Sequence, residues 1–180
     1  MTIDFDRIID RRNSDSLKWS GSLGKHAIPM WVGPAHGFRR AGVRDARPAG
    51  TCRPGRVRLG YLACRAAYEG GEIWRVARID YLRGNRDLLE AFFSEQLPQF
   101  GISHVEATYL AWIDTRCLAE RNGMRFFEAA GVRLSDGDPF QGPGFVRLNF
   151  GCPRQTLRNA LERIAAAVRR IVGRLVAATA

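Results

Sequence analysis

Apolar residues recur along much of this chain at helix and strand intervals, and one stretch breaks the pattern. Leu157, Leu161, Ile164, Val168, Ile171 and Leu175 follow one another at spacings of 4, 3, 4, 3 and 4 residues, the repeat that lays one stripe along an α-helix. Pro153 stands where such a helix would start, because the first turn has no use for its missing N–H. Further upstream, Leu88, Leu89, Phe92 and Phe93 predict a second helix, with Asn85 as its N-cap, Asp87 in its first turn and Pro98 as its stop. Residues 102–106 and 108–114 read as strands, the latter rich in β-formers (Thr108, Tyr109, Trp112, Ile113). Residues 118–130 predict a short helix carrying Phe126 and Phe127, closed by Gly131 in the left-handed position after its end. Strands over 132–134 and 145–150 flank the turn-rich segment 135–144. Helix, strands, helix, strand, helix predicts an α+β fold, a small antiparallel or mixed sheet with helices packed on it.

Composition divides the chain into three zones, 1–32, 33–60 and 61–180, of which the middle one has neither helical nor strand periodicity. It holds seven arginines (39, 40, 44, 47, 53, 56 and 58) against the single acid Asp45. Six of the ten net positive charges therefore sit in 28 residues, in a chain with 28 Lys+Arg and 18 Asp+Glu whose only lysines are Lys18 and Lys25. Regular structure is not expected there. Arginine-rich segments neutralise phosphates, but this one has no aromatic residue besides Phe38 to stack on bases, so nucleic acid is not the expected partner. Weak polyanion binding is the most that the stretch predicts by itself.

For the chain as a whole, 46% apolar and 26% charged residues are globular values. Cys52, Cys64, Cys117 and Cys152 form no Cys-x-x-Cys pair and the three histidines are scattered, so no metal site is expected. Cys64, Cys117 and Cys152 read as small buried or helix-start residues, His104 as a structural or exposed histidine, and Trp19, Trp31, Trp74 and Trp112 as packing residues. The first residues lack the basic and apolar regions of a signal peptide, and no run reaches the ~18 apolar residues of a membrane span. A soluble, cytoplasmic, reducing setting is expected.

Several ordered motifs then carry a resemblance. Asp4-Phe-Asp-Arg-Ile-Ile-Asp-Arg-Arg12, Ser16-Leu-Lys-Trp19 and Ile28-Pro-Met-Trp-Val32 resemble the N-terminus of cystathionine β-lyase-like enzymes dependent on pyridoxal phosphate. Tyr81-Leu-Arg-Gly-Asn-Arg-Asp-Leu-Leu89, Ala107-Thr-Tyr-Leu-Ala-Trp-Ile-Asp114, Ala130-Gly-Val-Arg-Leu-Ser-Asp-Gly137 and Gly144-Phe-Val-Arg-Leu-Asn-Phe-Gly-Cys-Pro-Arg154 are similar, in order, to the C-terminal small domain of the same family. The resemblance implies a fold-type-I homodimer that eliminates a thiol from cystathionine or cysteine-like amino acids, leaving pyruvate and ammonia. It implies that Arg147, in Val-Arg-Leu-Asn, clamps the substrate α-carboxylate. It also makes 1–32 a remnant of the N-terminal arm and 61–180 the small domain. In the family Trp31 belongs to the arm that crosses the dimer, so exposure is expected for it here.

The same resemblance exposes a gap. The segment that carries the Schiff-base lysine and the aspartate facing the pyridine nitrogen has no counterpart here, and Lys18 and Lys25 stand in the arm. No catalytic residue is therefore assigned, no residue is assigned to the cofactor, and the chain is not expected to bind pyridoxal phosphate. Tyr61 is not taken for the family's phosphate-binding tyrosine, because Leu62-Ala-Cys64 beside it fits the start of the C-terminal part. His36-Gly-Phe38 and Arg56-Val-Arg-Leu59 are what two family motifs yield when translated out of frame, at the separation expected of them. Residues 33–60 are accordingly expected to be a frame-shifted stretch beside a large deletion. The expected roles are an inactive remnant, an interaction partner of a full-length relative as homodimer or heterodimer, or a weak polyanion binder.

Overall fold

The protein is described here from a computed structural model covering residues 3–8, 27–30, 54–118 and 123–179. In chain order its elements are β1 (Ile28–Pro29), α1 (Pro54–Gly70), α2 (Glu72–Gln96), β2 (Leu110–Asp114), α3 (Gly123–Ala129), β3 (Val132–Arg133), β4 (Ser135–Asp136), β5 (Phe145–Asn149) and α4 (Arg154–Thr179). Among the described residues β5 is the centre of an antiparallel sheet of order β2-β5-β4, and β1 pairs parallel with β3. The α+β expectation holds.

Strand periodicity decides which way the sheet faces. Ala111 and Ile113 of β2 and Val146 and Leu148 of β5 are buried, because alternate side chains share a face. Against that face lie α2, through Leu89 and Phe93, and α4, through Leu157, Leu161, Ile164 and Val168. The spacing-4,3,4 stripe thus faces the core as its period requires. Burying each such side chain contributes about 1.5–3 kcal/mol. Ile171 is half-buried at the far end. The predicted strand over 145–150 is β5, Gly131 takes the left-handed conformation (φ 78°) after α3, and α4 begins directly after Pro153.

Part of the N-terminal segment belongs to this core. Met30 is fully buried; its N–H donates to the Arg133 carbonyl (2.9 Å) and its carbonyl accepts from the Asn149 N–H (2.8 Å). One residue therefore ties the β1–β3 pair to the end of β5. Trp19 and Trp31 lie outside the described residues, as do Lys18, Lys25, Cys52 and positions 33–53.

Three local expectations are corrected. Asn85 does not cap a helix: α2 begins at Glu72, and Asn85 lies in its interior, fully buried. Its Nδ2 donates to the carbonyls of Phe150 (3.1 Å) and Cys152 (2.9 Å), and its Oδ1 accepts from Arg154 Nε (3.1 Å). Gly84 beside it leaves room for that arginine, since a Cβ there would sit 2.7 Å from Arg154 Nη2. Two weak helix formers in succession, which locally signal a helix start, are there to receive α4. The second correction concerns 102–106, which make a single bridge, Ile102 to Ile113, rather than a strand. The Glu90 carboxylate takes the Val105 N–H (3.0 Å) in place of a ladder partner. Third, the helix expected over 118–130 is regular at Gly123–Ala129, and 119–122 lie outside the described residues.

The helix α1 crosses the compositional boundary at residue 60, with Pro54 at its first position as a proline allows. It runs almost without interruption into α2. Gly71 N–H donates to the Ala67 carbonyl and the Gly71 carbonyl accepts from Arg75 N–H, both at 2.9 Å. A Cβ on Gly71 would stand 2.3 Å from the Ala67 carbonyl oxygen, so glycine is what permits the joint to be this tight. Residues 60–70 of α1 are all exposed.

Candidate functional site

The face of the sheet turned away from the helices carries Arg147. In the antiparallel register Arg147 lies opposite Trp112 on β2 and Ser135 on β4, so strand parity alone puts it outside the apolar core. Its guanidinium lies 4.2 Å from the centre of the Phe140 ring. Trp112 meets Phe140 and Phe145 edge-on, with centroids 6.0 and 6.4 Å apart. These rings hold the arginine stem and lower the local dielectric around its head.

Within that aromatic frame Arg147 Nε is buried and has no hydrogen-bond partner, and no carboxylate pairs with the guanidinium among the described residues. Leaving such a donor unsatisfied costs about 1–3 kcal/mol. An arginine held this way is set up for an acceptor brought from outside, and a carboxylate matches its fork with two parallel bonds. Asn149, two residues on, is also buried; its Oδ1 accepts from Gly151 N–H (2.9 Å) while its Nδ2 has no partner. Sequence reading missed Asn149. A polar residue one place past the alternating Val146 and Leu148 was the available signal.

The groups nearby are occupied. Arg116 holds Asp114 through Nε (3.0 Å) and Nη2 (2.6 Å), and these bonds keep the Asp114 carboxyl below the usual carboxylate range. Arg116 also stacks on Phe145, at 5.2 Å. Partial desolvation of the otherwise exposed side chain first, and then the Asp114 charge, pushes the Cys117 thiol up, the opposite of what a nucleophile needs.

The remaining candidates do not gather around Arg147. Tyr61 lies in α1 with 73% of its surface exposed. His104 is exposed and meets Glu90 Oε2 through Nδ1 (2.9 Å). Cys64 and Cys117 are exposed rather than buried, and Cys152 is half-buried. Trp74 is 46% exposed on α2. No cluster of His, Cys, Asp and Glu able to hold a metal occurs among the described residues, and no described helix is long and apolar enough to cross a membrane.

No protein-family model matches the chain. It is 35% identical over 111 residues to cystathionine β-lyase PatB of Bacillus subtilis, a match covering 59% of this chain and 29% of that protein. Among solved structures it is similar to a pyridoxal-phosphate-dependent β-cystathionase of Corynebacterium diphtheriae, with 39% identity and TM-score 0.59 over 62% of this chain and 30% of that one. This chain is a relative of the pyridoxal-phosphate-dependent C–S lyases. Cystalysin of Treponema denticola, whose structure contains pyridoxal 5′-phosphate, aligns with TM-score 0.58 and 30% identity over 63% of this chain and 30% of its own. The chain thus spans about 30% of the length of the C–S lyases it matches.

Pyridoxal phosphate is the cofactor of these neighbours, and the described residues do not fit it. They contain no lysine: the two in the sequence are Lys18 and Lys25. What the described residues do hold is the ring-framed arginine, Arg147.

Proposed function

We propose that this chain is the small-domain portion of a cytoplasmic C–S lyase of the cystathionine β-lyase type, keeping the carboxylate-binding arginine but unable to carry out elimination by itself. The observation that carries this reading is Arg147. Its buried Nε has no partner among the described residues, and the side chain stands on the face of the sheet turned away from the helices. In a complete enzyme of this kind the pyridoxal ring takes up the electrons released at Cα of a cystathionine or cysteine-like substrate. Here Arg147 would bind and orient the α-carboxylate, with Trp112 and Phe140 excluding water from the pair. Nothing among the described residues supplies an amine to move the Cα proton, so no later step is assigned to this chain.

The test is titration of the purified chain with pyridoxal phosphate, then borohydride reduction and mass mapping. Expected is neither a saturable aldimine absorbance nor a site-specific adduct. A stoichiometric adduct on Lys18 or Lys25 refutes the reading, and a β-lyase assay then follows. We further propose the organisation 1–32 arm remnant, 33–60 frame-shifted segment and 61–180 small domain, with α1 continuing across the second boundary. Resequencing of the locus tests it: an in-frame gene without family-like codons in the alternate frame rules the frameshift out.

A second reading is favoured by the exposed apolar side chains Tyr61, Leu62, Tyr68 and Ile73, between 61 and 88% accessible on α1 and the start of α2. Surfaces of this kind mark an interface, and a full-length relative is the partner whose large domain would cover them. Co-purification with such a relative supports this reading; a chain that stays alone in its presence opposes it.

A further inference from the structure

The first described residues line a cavity of ≈580 Å3 together with α2 and the turn leading into α4. Phe5, Tyr81, Leu82 and Pro153 form its apolar wall, and Arg78 faces them. The rings are packed together: Phe5 lies 5.2 Å from Tyr81 and 6.1 Å from Trp74, centroid to centroid. The Arg78 guanidinium lies 4.9 Å from the Trp74 ring and 5.9 Å from the Tyr109 ring. No carboxylate pairs with it among the described residues. A guanidinium stacked on rings is fixed in orientation yet keeps its in-plane N–H donors for a ligand.

Other charges around the cavity leave it cationic. Among the described residues that line it, Arg7 and Arg78 stand against one carboxylate, Asp4, whose Oδ1 accepts the Asp6 N–H (2.9 Å), while the Asp6 carboxylate behind Tyr81 is offset by Arg154 on the same ring. The N-terminus of α4 is not open to a ligand, because the Arg154 N–H is shared by Tyr81 Oη (2.6 Å) and Asp6 Oδ1 (3.1 Å). Arg78 is thus the donor an anion would meet. The volume is that of a small-molecule site, a mostly apolar cleft with few fixed polar groups.

We propose that this cavity binds a planar aromatic anion, an aryl carboxylate or aryl phosphate, with its charge on Arg78 and its ring against Phe5 and Tyr81. The site is separate from Arg147 and does not depend on the C–S lyase reading. Calorimetric titration of the full chain with 1-naphthoate, 1-naphthyl phosphate and neutral 1-naphthamide tests it. One or both anions bind with 1:1 stoichiometry, and the tighter one identifies the acid group preferred. The amide binds at least about tenfold more weakly, and Arg78→Gln weakens the anion by about tenfold or more, the worth of a charge-assisted hydrogen bond. Phe5→Ala weakens anion and amide alike. Equal binding of amide and anion, no saturable binding of either anion at millimolar concentration, or loss on Arg147→Met but not on Arg78→Gln would each overturn the assignment.

Discussion

Exchanging Asn85 for aspartate separates two roles that local sequence cannot tell apart. At a helix N-cap, aspartate and asparagine are nearly equivalent. In the interior of α2 they are opposites, because Nδ2 gives two hydrogen bonds to the Phe150 and Cys152 carbonyls. Asn85→Ala removes those two bonds and the one accepted from Arg154. Neutral bonds contribute about 1 kcal/mol each and one to a charged group about 1.5–3. Alanine returns about 0.5 kcal/mol as the better helix former. The expected loss is therefore about 3–4.5 kcal/mol for Asn85→Ala. Asn85→Asp points a carboxylate at two carbonyl oxygens in a fully buried position, and its pairing with Arg154 offsets only part of that cost. Its loss should equal or exceed that of alanine. Urea unfolding of the three proteins, followed by far-UV circular dichroism, measures both differences. An Asn85→Asp chain within about 0.5 kcal/mol of the parent, the capping result, would refute the bridging role.

The contact of Asp6 with Tyr81 makes stability depend on pH at both ends. The Tyr81 hydrogen bond holds the Asp6 carboxyl below its ordinary range, so its contribution is present at neutral pH and is lost as pH falls through that lowered value; Asp6→Asn should remove this acid limb. Tyr81 is pushed up to about 12, by burial first and then by Asp6. Its contribution is complete below the unfolded value of about 10 and is lost as pH rises toward 12, so Tyr81→Phe should flatten the alkaline limb of melting temperature against pH. Gly144 has φ 80°, and a Cβ there would meet Arg116 Cγ at 2.7 Å. Gly144→Ala should cost about 1–2 kcal/mol in chemical denaturation, and no cost would contradict the left-handed turn. Leu161 on α4 is fully buried in the core, so Leu161→Ala should cost about 2–5 kcal/mol; a loss below about 1 kcal/mol would mean that α4 is not packed as described.

Periodicity and turn chemistry are local, and what they govern was legible. The stripe from Leu157 to Val168 determined that α4 is a helix and which face it buries. Gly131 after Phe126 and Phe127 determined where α3 ends, and the alternation around Val146 and Leu148 determined β5. Ordered motifs carried the resemblance to the C–S lyases, which the similar proteins bear out. Only the tertiary structure decided roles whose partners lie far along the chain. Asn85 reads as a cap until Phe150, Cys152 and Arg154 arrive to satisfy it in mid-helix. Residues 102–106 read as a strand because Glu90, which takes the Val105 N–H, comes from another element. Met30 and Asp6 are only motif positions in the sequence until Arg133 and Asn149 close on one and Tyr81 and Arg154 on the other. The open donor on Arg147 is of the same kind. A residue's own neighbours determine which backbone conformation it prefers, but whether its polar atoms are satisfied is settled only by what the fold brings beside them.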